Sequence, residues 1–214
     1  MNINGVIFDM DGVVFDTERI YLQVWTEVFK KYGYEITKDF YLPLMGQGTN
    51  NIKKILFEKY GDKLPIEKMY NEKDEKLMSI VRSGLVPLKD GAEDVLKYLK
   101  NKGYKIALAT SARLERLELQ LTDDNVKTYF DAIVCSNDVK NAKPAPDIFL
   151  KAAEKINIEP SMCIVIEDSS SGIKAAHNAS MASFHVEDLK EADDEIRKYS
   201  DRQLKNIREI MNYL

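Results

Sequence analysis

Gly5-Val6-Ile7-Phe8-Asp9-Met10-Asp11-Gly12 is the stretch on which the reading of this chain turns. A short apolar run closes on an acid, so residues 5–9 read as a buried strand. Residues i and i+2 of a strand point to the same side, which sends Asp9 and Asp11 out together past its carboxyl end. Two carboxylates that close repel one another unless a cation or a shared proton relieves them. Gly12 lets the chain leave the strand in a conformation that other residues avoid. Taken alone, the tetrapeptide Asp9–Gly12 also reads as an acidic loop that caps the following turn.

The same pattern returns downstream. Residues 104–110, 132–135 and 162–166 are further short apolar runs, and residues 182–186 make a last short strand. Helical patterns separate them. Residues 91–102 place Val95, Leu96 and Leu99 on one face and stop at Gly103. Residues 147–156 follow Pro146, a favourable start, and residues 172–179 and 207–214 are expected to be helical. Strands alternating with helices predict an α/β fold, a doubly wound, Rossmann-like parallel sheet with helices on both faces. One block breaks the alternation. Residues 18–81 hold no convincing strand, and residues 20–32, 50–60 and 66–81 have helical patterns. The expected organisation is a catalytic core of residues 1–16 and 83–214 with an all-helical cap, residues 17–82, inserted between hinges near 15–18 and 83–87. The acidic stretch 187–195 is expected to be a solvated helix face.

Three further chemical groups fall at strand ends. Thr110 closes the second run, Lys143 follows the third, and Glu167-Asp168 close the fourth, before Ser169-Ser170-Ser171-Gly172. Each has a plain structural reading: Thr110 and Glu167-Asp168 as helix caps, Lys143 as a surface lysine. Together they put a hydroxyl, an ammonium and two acidic pairs at one edge of the sheet, where open α/β sheets bind ligands.

Bulk properties narrow the classes. The 214 residues suffice for a core domain plus a small insert. The formal net charge of -4 carries no basic excess of the kind that nucleic acid requires. No signal peptide is expected at the N-terminus, no apolar run has the length of a membrane span, and the expected location is cytoplasmic. Cys135 and Cys163 sit in or beside apolar runs and read as buried free thiols.

With these residues in place, the chain resembles the haloacid dehalogenase superfamily, closest to its β-phosphoglucomutase-like phosphatases. The first motif is similar to Asp9-Met-Asp11-Gly-Val-Val-Phe-Asp16-Thr17, the second to Ala107-Leu-Ala-Thr110, the third to Lys143-Pro-Ala-Pro-Asp147, and the fourth to Val165-Ile-Glu167-Asp168-Ser-Ser-Ser-Gly172. The resemblance implies a phosphatase of a small-molecule phosphate ester. Asp9 would be the nucleophile and Asp11 the general acid and base. Thr110 would bind a phosphoryl oxygen, and Lys143 would offset charge. Mg²⁺ would be held by Asp9, the Asp11 carbonyl and Asp168, with Glu167 a further ligand through water or an orienting group. Substrate contacts would come from the Ser111 and Ala112 amides, from Arg113, and from Gly46 and Gln47 in the cap loop.

The sugar-phosphate mutases of the group depart from this sequence. Their cap carries a His where Tyr21 stands, a Lys where Met45 stands and an Arg where Thr49 stands. A mutase must grip a second phosphate with a fixed cation on the cap side, so hydrolysis is expected and mutase activity is the alternative. A signalling receiver domain, also built of strand-end acids, is too short for this chain and lacks the helical insert. A relative that only binds a partner has no need of all five of Asp9, Asp11, Thr110, Lys143 and Asp168. A monomer is expected, because the cap already covers the open edge of the site.

Overall fold

Val6, Ile7 and Phe8 are fully buried, because β1 (Gly5–Phe8) is covered on both faces and flanked on both edges. This computed structural model describes residues 2–44, 49–84, 86–121 and 124–214. Gly46 and Gln47 of the expected substrate contacts, Met45, and Leu85 of the second expected hinge lie outside the described residues. Along the chain, β1 is followed by α1 (Thr17–Lys31), α2 (Lys38–Tyr41), α3 (Thr49–Tyr60), α4 (Ile66–Arg82), α5 (Ala92–Asn101), β2 (Lys105–Ala109) and α6 (Leu114–Gln120). Then come α7 (Asp124–Lys127), β3 (Ala132–Val134), α8 (Asp147–Ile156), β4 (Cys163–Glu167), α9 (Ser170–Asn178), β5 (Ala182–Val186), α10 (Asp194–Tyr199) and β6 (Arg202–Leu204). The six strands are parallel, in the order β3-β2-β1-β4-β5-β6. Phe8 pairs with Leu108 on one side and Ile166 on the other. The residues just past them, at one level of the sheet, are Asp9, Ala109 and Glu167, and Thr110 follows one residue further on.

Strand alternation sorts the core into two layers. Val6, Phe8, Leu108 and Ile166 pack with Val95, Leu96 and Leu99 of α5, while Ile7, Ala107, Ala109 and Val165 pack with Phe149, Ala152 and Ile156 of α8. Phe149 is fully buried, and such a side chain stabilises the fold by roughly 1.5–3 kcal/mol. α8 starts after Pro146 and ends where Asn157 turns left-handed at φ +56°. Ser169 caps α9 by accepting from the Gly172 amide at 3.1 Å.

The helical insert has an apolar core of its own. Val24, Val28 and Phe29 of α1, Leu56 of α3, and Met69 and Leu77 of α4 are buried together. Its two connections run side by side. The Asp16 amide donates to Pro87 O at 3.0 Å, the Lys89 amide donates to Val14 O at 2.9 Å, and Phe15 bridges to Leu88.

Three expectations change. β6 extends the sheet beyond residues 182–186. The C-terminal segment expected as a helix is a 3₁₀ helix over Ile207–Asn212, because its buried residues, Ile207 and Ile210, are spaced by three and eclipse in that geometry. The stretch 187–195 is not one solvated helix face. Its helix begins only at Asp194, where Asp193 caps it by accepting from the Ile196 amide at 2.9 Å, and Asp188 is buried, with 2% of its side chain exposed.

Candidate active site

Asp9 and Glu167 stand where strands end at the carboxyl edge of the sheet, and Asp168 follows directly. Asp9 follows β1, and one of its oxygens, Oδ2, accepts from the Asp11 amide at 2.9 Å. The other, Oδ1, accepts from Lys143 Nζ. Lys143 arrives from the loop between β3 and α8 with 6% of its side chain exposed, and also donates to Glu167 Oε1 at 2.7 Å. Glu167, the last residue of β4, takes a second bond at Oε2 from the Ser169 amide at 2.6 Å. Both of its oxygens are thereby engaged by the protein.

Asp9, Glu167 and Asp168 each offer a carboxylate oxygen, all within 4.8 Å of one another. Glycine is required twice for this close approach. A Cβ on Gly12, whose φ is +73°, would stand 2.3 Å from Asp168 Oδ2, and one on Gly172 would stand 1.7 Å from Glu167 Oε1. Thr110 is buried at the end of β2, and its Oγ1 accepts from the Ala112 amide at 3.0 Å.

The electrostatics follow from this crowding. Burial, against the pull of Lys143, pushes the Asp9 carboxyl up to about 7, with Glu167 and Asp11 adding to the rise. Asp168 is raised by burial and then by the charges of Glu167 and Asp9. Burial alone would lower the Lys143 ammonium, but Asp9 and Glu167 outweigh it and hold that ammonium above its ordinary value. Oxygen donors carrying excess negative charge in a near-buried group suit a hard divalent cation such as Mg²⁺.

A cleft of about 470 Å³ opens over these residues. Asp9, Asp11, Ser111, Lys143, Glu167 and Asp168 line it, so six of the residues singled out in the sequence meet there. Arg113 does not line it; at the start of α6 its side chain is exposed. Thr110 and Ala112 lie buried just behind it.

The structure adds residues that the motifs did not supply. Glu18, at the start of α1, enters the cleft from the helical insert; burial first, then the charges of Asp11 and Asp188, pushes its carboxyl up to about 8. Asp188, past β5, also lines the cleft, paired with Lys89 at 3.0 Å, and Lys89 donates to Gly12 O. His185 Nε2 lies 3.2 Å from Asp168 O and braces the loop after β4. Arg116, one turn into α6, donates through Nη2 to Asp11 Oδ1. Their signal in the sequence was faint: Asp188 sits in an acidic run, and Arg116 lies 105 positions from its partner.

Beside the cleft, Glu18 also lines a 190 Å³ cavity inside the insert with Tyr21, Trp25, Tyr41 and Tyr70. Lys73 enters it with 12% of its side chain exposed, 5.2 Å from the Tyr70 ring centre and 5.6 Å from that of Trp25, and pairs with Asp74. Of the other cap cations, Arg19 pairs with Asp16, Lys53 with Glu67 and Lys54 with Glu58.

Against known proteins, the family model described as haloacid dehalogenase-like hydrolase matches residues 6–186. The chain is 36% identical over 184 residues to a phosphorylated carbohydrates phosphatase of Thermotoga maritima, covering 83% of this chain and 82% of that one. It is 34% identical over 182 residues to a fructose-1-phosphate phosphatase of Escherichia coli, covering 85% and 95%. A crystal structure of β-phosphoglucomutase from Clostridium difficile superposes with a TM-score of 0.69 at 28% identity, over 98% of this chain and 96% of that one. A hydrolase structure from Deinococcus radiodurans, at 24% identity and a TM-score of 0.85 over 98% and 93%, shares the fold.

Proposed function

We propose that this chain, which belongs to the haloacid dehalogenase-like hydrolase family, is a Mg²⁺-dependent phosphatase of a small phosphorylated metabolite such as a sugar or polyol phosphate. The observation that carries the reading is the meeting of Asp9, Lys143, Glu167 and Asp168 in one small, nearly buried group under the cleft.

In this reading Asp9 attacks phosphorus through a carboxylate oxygen and becomes an aspartyl phosphate. Asp11, two residues on and lining the same cleft, gives a proton to the departing alkoxide and then takes one from the attacking water. Lys143 faces Asp9 and so lies beside the phosphoryl group, where it offsets developing charge. Glu167 fixes Lys143 and the turn at Ser169. The Ser111 amide and the Thr110 hydroxyl offer donors to phosphoryl oxygens. Mg²⁺, held by the Asp9 and Asp168 carboxylates and the Asp11 carbonyl, would neutralise charge on the phosphoryl group. The helical insert closes over the cleft through Glu18 and excludes bulk water.

The named relatives that are phosphatases of phosphorylated sugars support this substrate class. The alternative is a sugar-phosphate mutase, favoured by Lys73 as a cation in the insert cavity. Lys73 already answers Asp74 and three aromatic rings, however, which leaves hydrolysis the stronger reading.

The test is phosphate release from a panel of phosphorylated metabolites with Mg²⁺, run beside Asp9→Asn. Release that requires Mg²⁺, stops reversibly on chelation and is absent from the variant is the expected result. Substantial release by Asp9→Asn, or full activity in excess chelator, would overturn the assignment.

A further inference from the structure

Arg116 stands outside the four strand-end motifs, yet its guanidinium joins three parts of the molecule. It rises from α6 of the core and donates through Nη2 to Asp11 Oδ1 on the chain leaving β1. It also donates to Gln120 Oε1, one turn on, at 3.2 Å. Its guanidinium carbon lies 5.6 Å from the ring centre of Tyr21, on α1 of the insert. With Thr17, Tyr21 and Val81 it lines a 160 Å³ cavity at the junction of insert and core. Gln120 is 7% exposed and its amide nitrogen has no partner among the described residues, so the bond it makes there is the one to Arg116.

We propose that Arg116 is the positioning residue of Asp11, and that Gln120 and Tyr21 hold it in place. The inference rests on the hydrolase reading above, in which Asp11 moves the proton. A carboxylate on a chain leaving a strand can rotate about two bonds, and few of its rotamers aim an oxygen into the cleft. Tying Oδ1 to Nη2, one arm of a planar guanidinium fork, limits those rotamers. Gln120 and the Tyr21 ring in turn fix the plane of that fork. Oδ2 is then the oxygen left to face the leaving group. Because one support comes from the insert, the acid is correctly placed only when α1 is seated on the core.

The experiment compares wild type with Arg116→Ala and Arg116→Lys, using kcat/KM for an alkyl phosphate and for p-nitrophenyl phosphate. A misplaced proton donor costs on the order of 10²-fold for the alkyl ester. The nitrophenolate leaves without a proton, so its loss should be about tenfold smaller. Added guanidinium ion should restore part of the Arg116→Ala loss, and Arg116→Lys, which keeps the charge without the fork, should fall between. Equal losses for the two esters, or no recovery with guanidinium, overturn the proposal. If Arg116→Ala does not fold, Arg116→Lys carries the same comparison, and esters affected alike overturn it. A wild type that hydrolyses no ester refutes the hydrolase reading instead. The contact is then read from thermal denaturation of Arg116→Ala, Asp11→Ala and the double variant. Shifts that are less than additive support it, and additive shifts overturn it.

Discussion

Replacing Lys143 by methionine keeps the length of the side chain and removes its charge. The ammonium is almost wholly enclosed and contacts Asp9 and Glu167, which are themselves buried, with Asp168 beside them. Deleting one partner of a buried ion pair leaves the other charge uncompensated and costs about 3–5 kcal/mol. That range is the expected loss for metal-free protein at pH 7.5. Lys143 is raised above its ordinary 10.5, so the stability it contributes is fully present below that value and is lost only as pH rises through the still higher folded value. Across pH 5 to 7.5 it stays charged, and any pH dependence comes from the acids. Without the ammonium, Asp9, already pushed up to about 7, rises further and takes a proton by pH 5, which removes the repulsion. The deficit of the variant should therefore shrink as pH falls, and Mg²⁺ should offset part of it at pH 7.5. Urea denaturation of both proteins in chelator at the two pH values measures this. A deficit under about 1 kcal/mol at pH 7.5, or one that does not change with pH, would refute the account of the buried charges.

Other perturbations test separate parts. Gly12→Ala forces a left-handed residue, worth roughly 1–2 kcal/mol of strain, and drives Asp168 from its place; both stability and phosphate release should fall, and a variant indistinguishable from wild type would remove the close approach from the argument. Asp11→Asn should lower kcat/KM for alkyl phosphates by about 10²–10⁴-fold and for p-nitrophenyl phosphate far less, with equal losses contradicting the proton-transfer role. Asp193→Ala removes the cap of α10 and should cost about 1 kcal/mol, a figure reduced for its solvent exposure. Although burial acts to raise it, Asp193 is held down to about 2 by Ser170, the Ile196 amide and Lys190; its contribution is present above 3.8 and is lost as pH falls through about 2. The gap between variant and wild type, followed by thermal denaturation, should close over that window.

What was legible in the sequence follows a physical rule. β1 and β4 are covered on both faces, so they appear as unbroken apolar runs, and the acids that end them mark the edge of the sheet without any knowledge of pairing. β6 escaped notice because only Leu204 of its three residues is buried. Arg113 drew attention by standing close to Thr110, but extended backbone at the head of α6 turns it to solvent, and Arg116, three residues on, reaches inward. Asp188 was hidden among like charges; its burial depends on Lys89, 99 positions away, and no local pattern records that pairing. Contacts set by chain geometry at short range could be read, while those set by tertiary approach could not.

The position of β1 has a consequence for how the molecule is made. It precedes the other five described strands along the chain, and its hydrogen-bonding neighbours begin only at Lys105 and Cys163. The central strand of the sheet is thus the earliest of these to exist and among the last to be satisfied. The helical insert draws its apolar cluster from within its own length and needs no later segment for it. During synthesis the chain has a unit able to collapse early, tethered to an apolar strand that must wait for the segments beginning at Lys105 and Cys163. The acids that close that strand keep its exposed end charged in the interval.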